Sequence, residues 1–334
     1  MSVGMLGHLG IKQETSFGTE ATPPTVFGEI KNESIAMDNN LLIPRYVGGI
    51  RGNKRILPGP LTAGGSFAFD LTPEDLMGWV LKGVFGQVTS TLIDTGIYSH
   101  VFTPIASSTL PSFTVQVDAE AGCQNWIGTN FSGFGLSLTP NALIECALNV
   151  ISQRPKEAVA ATPSYTSLDP FTPYQITITL NGSEDINFED LSLDITNEYE
   201  AVATLNNQRY ASKNVAKQFD CSGTFVQEFG DMDMRRRMWG ASDATEPELC
   251  LDSGSLKIEI EQTCSNGEIV VDSGVYYKLT LDFHEIYFNS APANISGADD
   301  RIMQNVAFST KYNAASAAMM TVTLLNSQAS YPDP

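Results

Sequence analysis

The chain has 334 residues, 42% hydrophobic and 17% charged, which is enough apolar material for two folded domains and argues against disorder. Its net charge of −19, from 38 acidic and 19 basic residues, repels phosphate backbones and argues against tight nucleic-acid binding. No apolar run approaches the ~20 residues of a membrane span, and the start, Met1-Ser2-Val3-Gly4-Met5-Leu6-Gly7-His8, lacks the basic and apolar parts of a secretion signal.

Residues 1–25, rich in Gly, Thr and Pro, read as an extended arm rather than core. A first unit follows over 26–154. In it Leu61, Ala63, Phe67 and Phe69 share one strand face while Thr62, Ser66 and Asp70 share the other. The partner strand is expected near 33–45, joined through a basic, Gly-rich loop with Arg45, Gly48, Gly49, Arg51, Gly52, Lys54 and Arg55. Thr72-Pro73-Glu74-Asp75 opens a short helix with a cap, a first-turn proline and early acids, and Leu76, Trp79, Val80 and Val84 give its apolar stripe up to Gly86. Strands are expected at Phe113, Val115, Val117 and at Phe134, Leu136, Leu138.

Residues 155–173, with Pro155, Pro163, Pro170 and Pro173, read as an exposed linker. The second unit runs over 174–326 and the polar tail over 327–334. Its clearest signal is alternation from 193 to 205: Leu193, Ile195, Asn197, Tyr199, Ala201, Ala203 and Leu205 on one side, Asp194, Thr196, Glu198, Glu200 and Thr204 on the other. After Asn206-Asn207-Gln208-Arg209 it resumes with Val215, Lys217, Phe219, Cys221, Phe225 and Phe229 on the dry face, and Asn214, Gln218, Asp220, Ser222, Thr224 and Glu228 on the wet one. The pattern predicts a long hairpin with two unlike faces. A helix is expected over 231–239, followed by strands at Leu256, Ile258, Ile260 and at Tyr277, Leu279, Leu281.

The two units echo each other. Gly65 and Gly223, Phe67 and Phe225, and Asp75 and Asp233 stand 158 positions apart (223 − 65). Farther on, Phe113 aligns with Leu256 and Phe134 with Tyr277 at an offset of 143 (256 − 113). The difference places extra residues of the first unit near 89–110, and an insert of the second is expected around 289–301.

Nothing points to catalysis, a cofactor or a metal. The three histidines, His8, His100 and His284, have no neighbour at ligand spacing, and no GxSxG, HExxH, Walker A or dinucleotide motif is present. The five cysteines (Cys123, Cys146, Cys221, Cys250, Cys264) form no CxxC pair and read as small buried hydrophobes in a reducing compartment. Asp231/Asp233 reads as helix N-terminal charge and Glu246/Glu248 as an exposed turn. Trp79 and Trp239 read as core between helix and sheet. Arg235, Arg236 and Arg237, pointing in different directions around a helix, read as contacts to an acidic neighbouring subunit, and Arg45, Arg51 and Arg55 as part of a mobile loop for ring contacts.

Gly10-Ile11-Lys12-Gln13-Glu14-Thr15-Ser16-Phe17-Gly18-Thr19, followed by Pro23-Pro24, resembles the opening of bacteriophage tail tube proteins. The Arg-Gly-rich loop at 45–55, the Gly-Ser-Phe-type strand at 65–69 and the helix after it extend the resemblance. It implies a mainly β fold of two tandem β-sandwich or partial-barrel tube domains, each with a long hairpin and one short flanking helix. The implied function is a virion structural protein of the phage tail, made in the host bacterial cytoplasm, whose stacked rings conduct DNA during ejection. Its implied partners are further copies of itself, the tape-measure protein and transiting DNA in the lumen, and tail terminator and distal tail proteins. A duplicated unit implies a trimeric ring with pseudo-sixfold symmetry, a hexamer being the alternative. Thr62, Ser66, Asp70, Asp194, Thr196, Glu198, Glu200, Asp220, Ser222, Thr224 and Glu228 would then face the lumen, where an acidic wall keeps DNA from sticking. A terminator or baseplate ring of the same fold, and a β-sandwich carbohydrate-binding or adhesin module, stay open as alternatives.

Overall fold

A computed structural model of the chain describes residues 4–47, 51–185, 187–263, 267–270, 273–295 and 297–333; Gly48, Gly49 and Cys264 lie outside them. The architecture is mainly β. In chain order the strands and helices are β1 (His8–Gln13), β2 (Val26–Gly28), β3 (Ile30–Glu33), β4 (Ala36–Asp38), β5 (Thr62–Asp70), α1 (Leu76–Phe85), β6 (Gly86–Asp94), β7 (Ile97–Pro104), β8 (Phe113–Asp118), β9 (Cys123–Leu138), β10 (Glu145–Ser152) and β11 (Arg154–Ala158). There follow β12 (Ile176–Leu180), β13 (Ser183–Glu184), β14 (Phe188–Val202), β15 (Lys213–Glu228), α2 (Asp233–Trp239), β16 (Gly254–Glu261), β17 (Lys278–Ser290), β18 (Met303–Thr310) and β19 (Met320–Asn326).

All the strand pairings are antiparallel. A main wall runs β3/β4–β5–β10–β9–β14–β15–β18–β17. The N-terminal half of β9 leaves that wall to pair with β8 and β11, and β8 carries β1 and β2. In the same way the N-terminal half of β17 pairs with β16 and β19, and β16 carries β12 and β13. Seven pairings of the first half thus recur in the second, in the same order. Irregularities recur too. β9 is bulged between Phe131 and Gly133 opposite β10, and β17 between Phe288 and Ser290 opposite β18.

These registers correct the sequence alignment of the halves. Val115 and Trp126, flanking a bulge, correspond to Leu256 and Phe283, so the β8/β16 offset is 141 (256 − 115) and the β9/β17 offset is 157 (283 − 126). The echo of Phe134–Leu138 in 277–281 is therefore a coincidence of alternation. The extra residues of the first half, expected near 89–110, are the hairpin β6–β7, whose β7 also pairs with β19. The extra residues of the second half lie between Glu261 and Lys278, where the first half has only the short turn from Asp118 to Cys123. They do not lie at 289–301.

Residues 1–25 and 155–173 are not merely arm and linker. Leu9 and Ile11 are buried, because β1 is sandwiched between β2 and β8. The strand has too few apolar residues to announce itself between glycines. Residues 154–158 form β11, an edge strand, the position where Pro155 is tolerated. Phe171 is fully buried, and its N–H donates to the carbonyl of Leu71. The tail 327–333 is docked as well: Tyr331 is 4% exposed and packs edge-on against Trp79 at 5.4 Å. Trp79 is partly buried against the core as well as meeting the tail, and Trp126 is buried within that core.

α1 begins at Leu76 after Asp75, whose φ of 59° places it in the left-handed region. The expected side-chain cap is absent; the Asp75 carboxylate instead accepts from Thr166 Oγ1 at 2.7 Å. Burial and the loss of that carboxylate's water push its pKa up. Nearly every other residue of the helix is buried under the wall. Each fully buried Leu, Val or Phe there contributes about 1.5–3 kcal/mol relative to exposure.

Candidate functional site

The candidate site is the polar face of the main wall. Residues opposite each other in an antiparallel sheet project to the same side. One such row runs Ser66, Asn149, Gly133, Thr196, Asp220 across β5, β10, β9, β14 and β15. A second runs Ala68, Ala147, Gly135, Asp194, Ser222, and on to Ser309 of β18. A third runs Asp70, Glu145, Ser137, Ser192, Thr224. Candidates from both halves of the sequence therefore share one continuous surface. The reverse face carries the row Phe67, Leu148, Phe134, Ile195, Cys221, every member 0% exposed.

The alternation that selected these residues holds along β14 as far as Glu200. Beyond it Ala201, Ala203 and Leu205, expected on the dry face, are exposed as the strand runs past the core, and the continuation fails in β15. There the register shifts between Asn197–Phe219 and Tyr199–Ala216, so Lys217 and Gln218 together oppose Glu198. This bulge inverts the parity of the strand before Phe219. Asn214 and Ala216 are buried, while Lys217 is exposed on the wet face and not the dry one. Its Nζ lies 3.0 Å from Glu200 and 3.8 Å from Glu198. The first partner of Thr62–Asp70 also differs from expectation: it is β3 and β4, over 30–38, ending before the basic loop.

The face is less acidic than its candidate list. Lys31 bridges Asp70 at 3.1 Å and Glu145 at 2.8 Å, and Arg301 bridges Glu189 at 2.7 Å and Glu228 at 3.7 Å. Hydrogen bonds donated by its ammonium to Glu145 and then Asp70 raise the Lys31 pKa, as the one to Glu200 raises that of Lys217. Asp194 and Asp220 have no ion-pair partner among the described residues. Asp220 sits with Thr196, Glu198 and Gln218 around an open concavity that also includes Ser132 and Asn149, and Asp194 lies in the next row of the same face. Thr62, at the exposed start of β5, accepts from Asn40 Nδ2 at 2.9 Å.

Lys31, Glu145, Asn149 and Ser137 belong to this face and were not among the candidates. The alternation of Cys146, Leu148 and Val150 with Glu145, Ala147 and Asn149 carried the signal for two of them. The basic candidates split. Arg45, Arg51 and Arg55 are exposed in the segment between β4 and β5, and Arg236 is exposed on α2. Arg237 pairs with Asp233 at 2.7 Å, four residues back. Arg235 turns inward, over the ring of Phe229 at 4.8 Å and onto carbonyls of residues 291 and 293.

The opening motif has a physical role. Glu14, 4% exposed, accepts four hydrogen bonds: from the N–H groups of Gly18 and Gly128 and the hydroxyls of Ser112 and Thr114, at 2.8–2.9 Å. Gly18 is left-handed at φ 77°, which lets its N–H turn back onto that carboxylate. Among the described residues no three His, Cys, Asp or Glu side chains are placed to hold a metal ion.

The chain matches the family model described as "Phage tail tube protein" over residues 4–310, most of its length, and belongs to that family. No curated protein matches it. As a tail tube protein it is a structural component of the virion tail, self-assembling into the tube, and not an enzyme.

Proposed function

We propose that this member of the phage tail tube family carries two copies of the tube unit, β1–β11 and β12–β19, and that three chains close one ring of six wall segments. The rings stack, and the polar face of the main wall lines the lumen that holds the tape-measure protein and then the DNA. The observation that carries this reading is the seam between β9 and β14: Leu136 opposite Leu193 and Phe134 opposite Ile195 join the halves edge to edge, with one wet face running through. The recurrence of seven pairings and their bulges in each half supports a repeated unit. A wall that continues from unit to unit leaves no exposed edge once it closes. Mixed charge with a net acidic balance, as at Asp194 and Asp220, repels DNA without binding it.

Thiol labelling tests the lumen. In a Cys250→Ser, Cys264→Ser background, Asp194→Cys should react with a small maleimide in the free chain and in tubes. A maleimide on a large polymer should modify the free chain but not mid-tube subunits. Full labelling of assembled tubes by the large reagent would put this face outside.

A further inference from the structure

Apart from the extra hairpin β6–β7 and its pairing with β19, one pairing has no counterpart within the chain, the seam that joins the halves. The counterpart of β9 residues 133–138 is 290–295: the bridge Ala293–Gln304 repeats Leu136–Cys146, offsets 157 (293 − 136) and 158 (304 − 146). The counterpart of β14 residues 191–196 is 33–38: the pair Ala36–Gly64 repeats Asp194–Ser222, offset 158 (194 − 36). These two segments lie at opposite ends of the wall, so only a second copy brings them together.

Each edge is capped by a side chain of its own. The N–H of Ile35 donates to the Glu33 carboxylate at 3.0 Å. The Arg235 guanidinium donates to the carbonyl of Ala293 at 3.0 Å and of Ala291 at 3.4 Å, with Ala291 buried beneath it. In the seam, the residues corresponding to Ile35 and Ala293 are Leu193 and Leu136, which lie opposite each other. The two caps therefore cover the two ends of one backbone hydrogen bond, Ile35 N–H to Ala293 O, and they carry opposite charges. Pro292 is no obstacle. Its carbonyl accepts from Asn305 on the β18 side at 3.2 Å, so its missing N–H is on that side and not the free edge. Ala36 and Pro292 are both exposed.

Resting on the ring reading, we propose that residues 33–38 of one copy pair antiparallel with 290–295 of the next, with Ala36 opposite Pro292, and that joining exchanges the two caps for a Glu33–Arg235 ion pair between copies. Until then the caps keep both edges from indiscriminate strand pairing.

The test is a disulfide. Opposed residues that do not share ladder hydrogen bonds have Cα atoms about 4.5 Å apart, within disulfide reach. Ala36→Cys with Pro292→Cys, in the Cys250→Ser, Cys264→Ser background, should give on oxidation a ladder of joined copies ending at the ring. Asp38→Cys with Pro292→Cys, two residues out of register, should not. Rings or tubes visible by microscopy without such a ladder would overturn the register and leave the tube reading standing; no rings from the unmodified chain would remove both. For the caps, Glu33→Arg and Arg235→Glu should each slow assembly on the order of tenfold, and the double variant should recover it. Circular dichroism confirms folding of each. Folded single variants that assemble normally, or a double variant that fails to recover, would overturn the exchange.

Discussion

Phe134 on β9 and Ile195 on β14 stand opposite each other across the line where the two halves of the chain meet, and both are 0% exposed. Their contact makes the halves one sheet over one core, although 61 residues (195 − 134) separate them in sequence. Ile195→Ala should therefore cost about 2–5 kcal/mol in urea unfolding. Wild type and variant should both unfold in a single transition, since the seam couples the halves. Two separate calorimetric transitions in the wild type would contradict that coupling.

Gly133 sits at the bulge of β9 with φ 142°, and a Cβ there would come within 2.3 Å of the Ile195 carbonyl oxygen. Gly133→Ala combines an unfavourable backbone conformation, about 1–3 kcal/mol, with a collision against the seam strand. It should destabilise the chain by more than that range and speed amide exchange in β14. Gly135→Ala, where the nearest atom is at 3.6 Å, should be far milder.

Glu14→Gln tests the buried carboxylate. A glutamine has one acceptor oxygen and presents an amide donor to groups that are themselves donors. The amide can still donate to the Ser112 or Thr114 hydroxyl, but the Gly18 or Gly128 N–H on that side loses its acceptor, for a loss of about 1–3 kcal/mol. Denaturant unfolding measures it, and a loss below 1 kcal/mol would mean the donors find other partners.

Lys82, 3% exposed in α1, donates to the carbonyls of Tyr331 at 2.9 Å and Pro332 at 2.7 Å and pairs with Asp333 at 2.8 Å. Hydrogen bonds from Lys82 and then Gln13 hold the Asp333 carboxyl below its ordinary pKa. A depressed folded-state pKa contributes stability that is present above the unfolded value, about 4, and lost as pH falls through the folded one. Tail docking should therefore weaken below about pH 4, read by fluorescence of Trp79 against Tyr331. Asp333→Asn should remove that step.

The two faces of the wall were legible because alternation is a direct consequence of strand geometry: Leu191, Leu193 and Ile195 are buried and Asp190, Ser192 and Asp194 exposed, as the pattern requires. What it could not carry was the bulge at Lys217–Gln218, since an inserted residue leaves both flanking patterns intact and only changes which is which. The likeness of the two halves was legible at Gly65 and Gly223, where each needs a residue without a side chain: a Cβ would meet the Ser34 carbonyl oxygen at 2.4 Å and the Phe308 ring at 2.6 Å. It blurred beyond the helices because any apolar alternation aligns with any other, and only the registers of Trp126 and Phe283 fix the offset. Lys31 and Glu145 were missed because their meeting depends on pairing partners far apart in the chain.

On the proposed reading each chain supplies two wall segments to a six-part ring. Electron microscopy of assembled tubes, with the copy number of the repeating disc fixed by native mass spectrometry of released rings, tests it most directly. The prediction is three chains per ring with near-sixfold density around the bore. Six chains per ring, or a ring without the near-sixfold repeat, would contradict it.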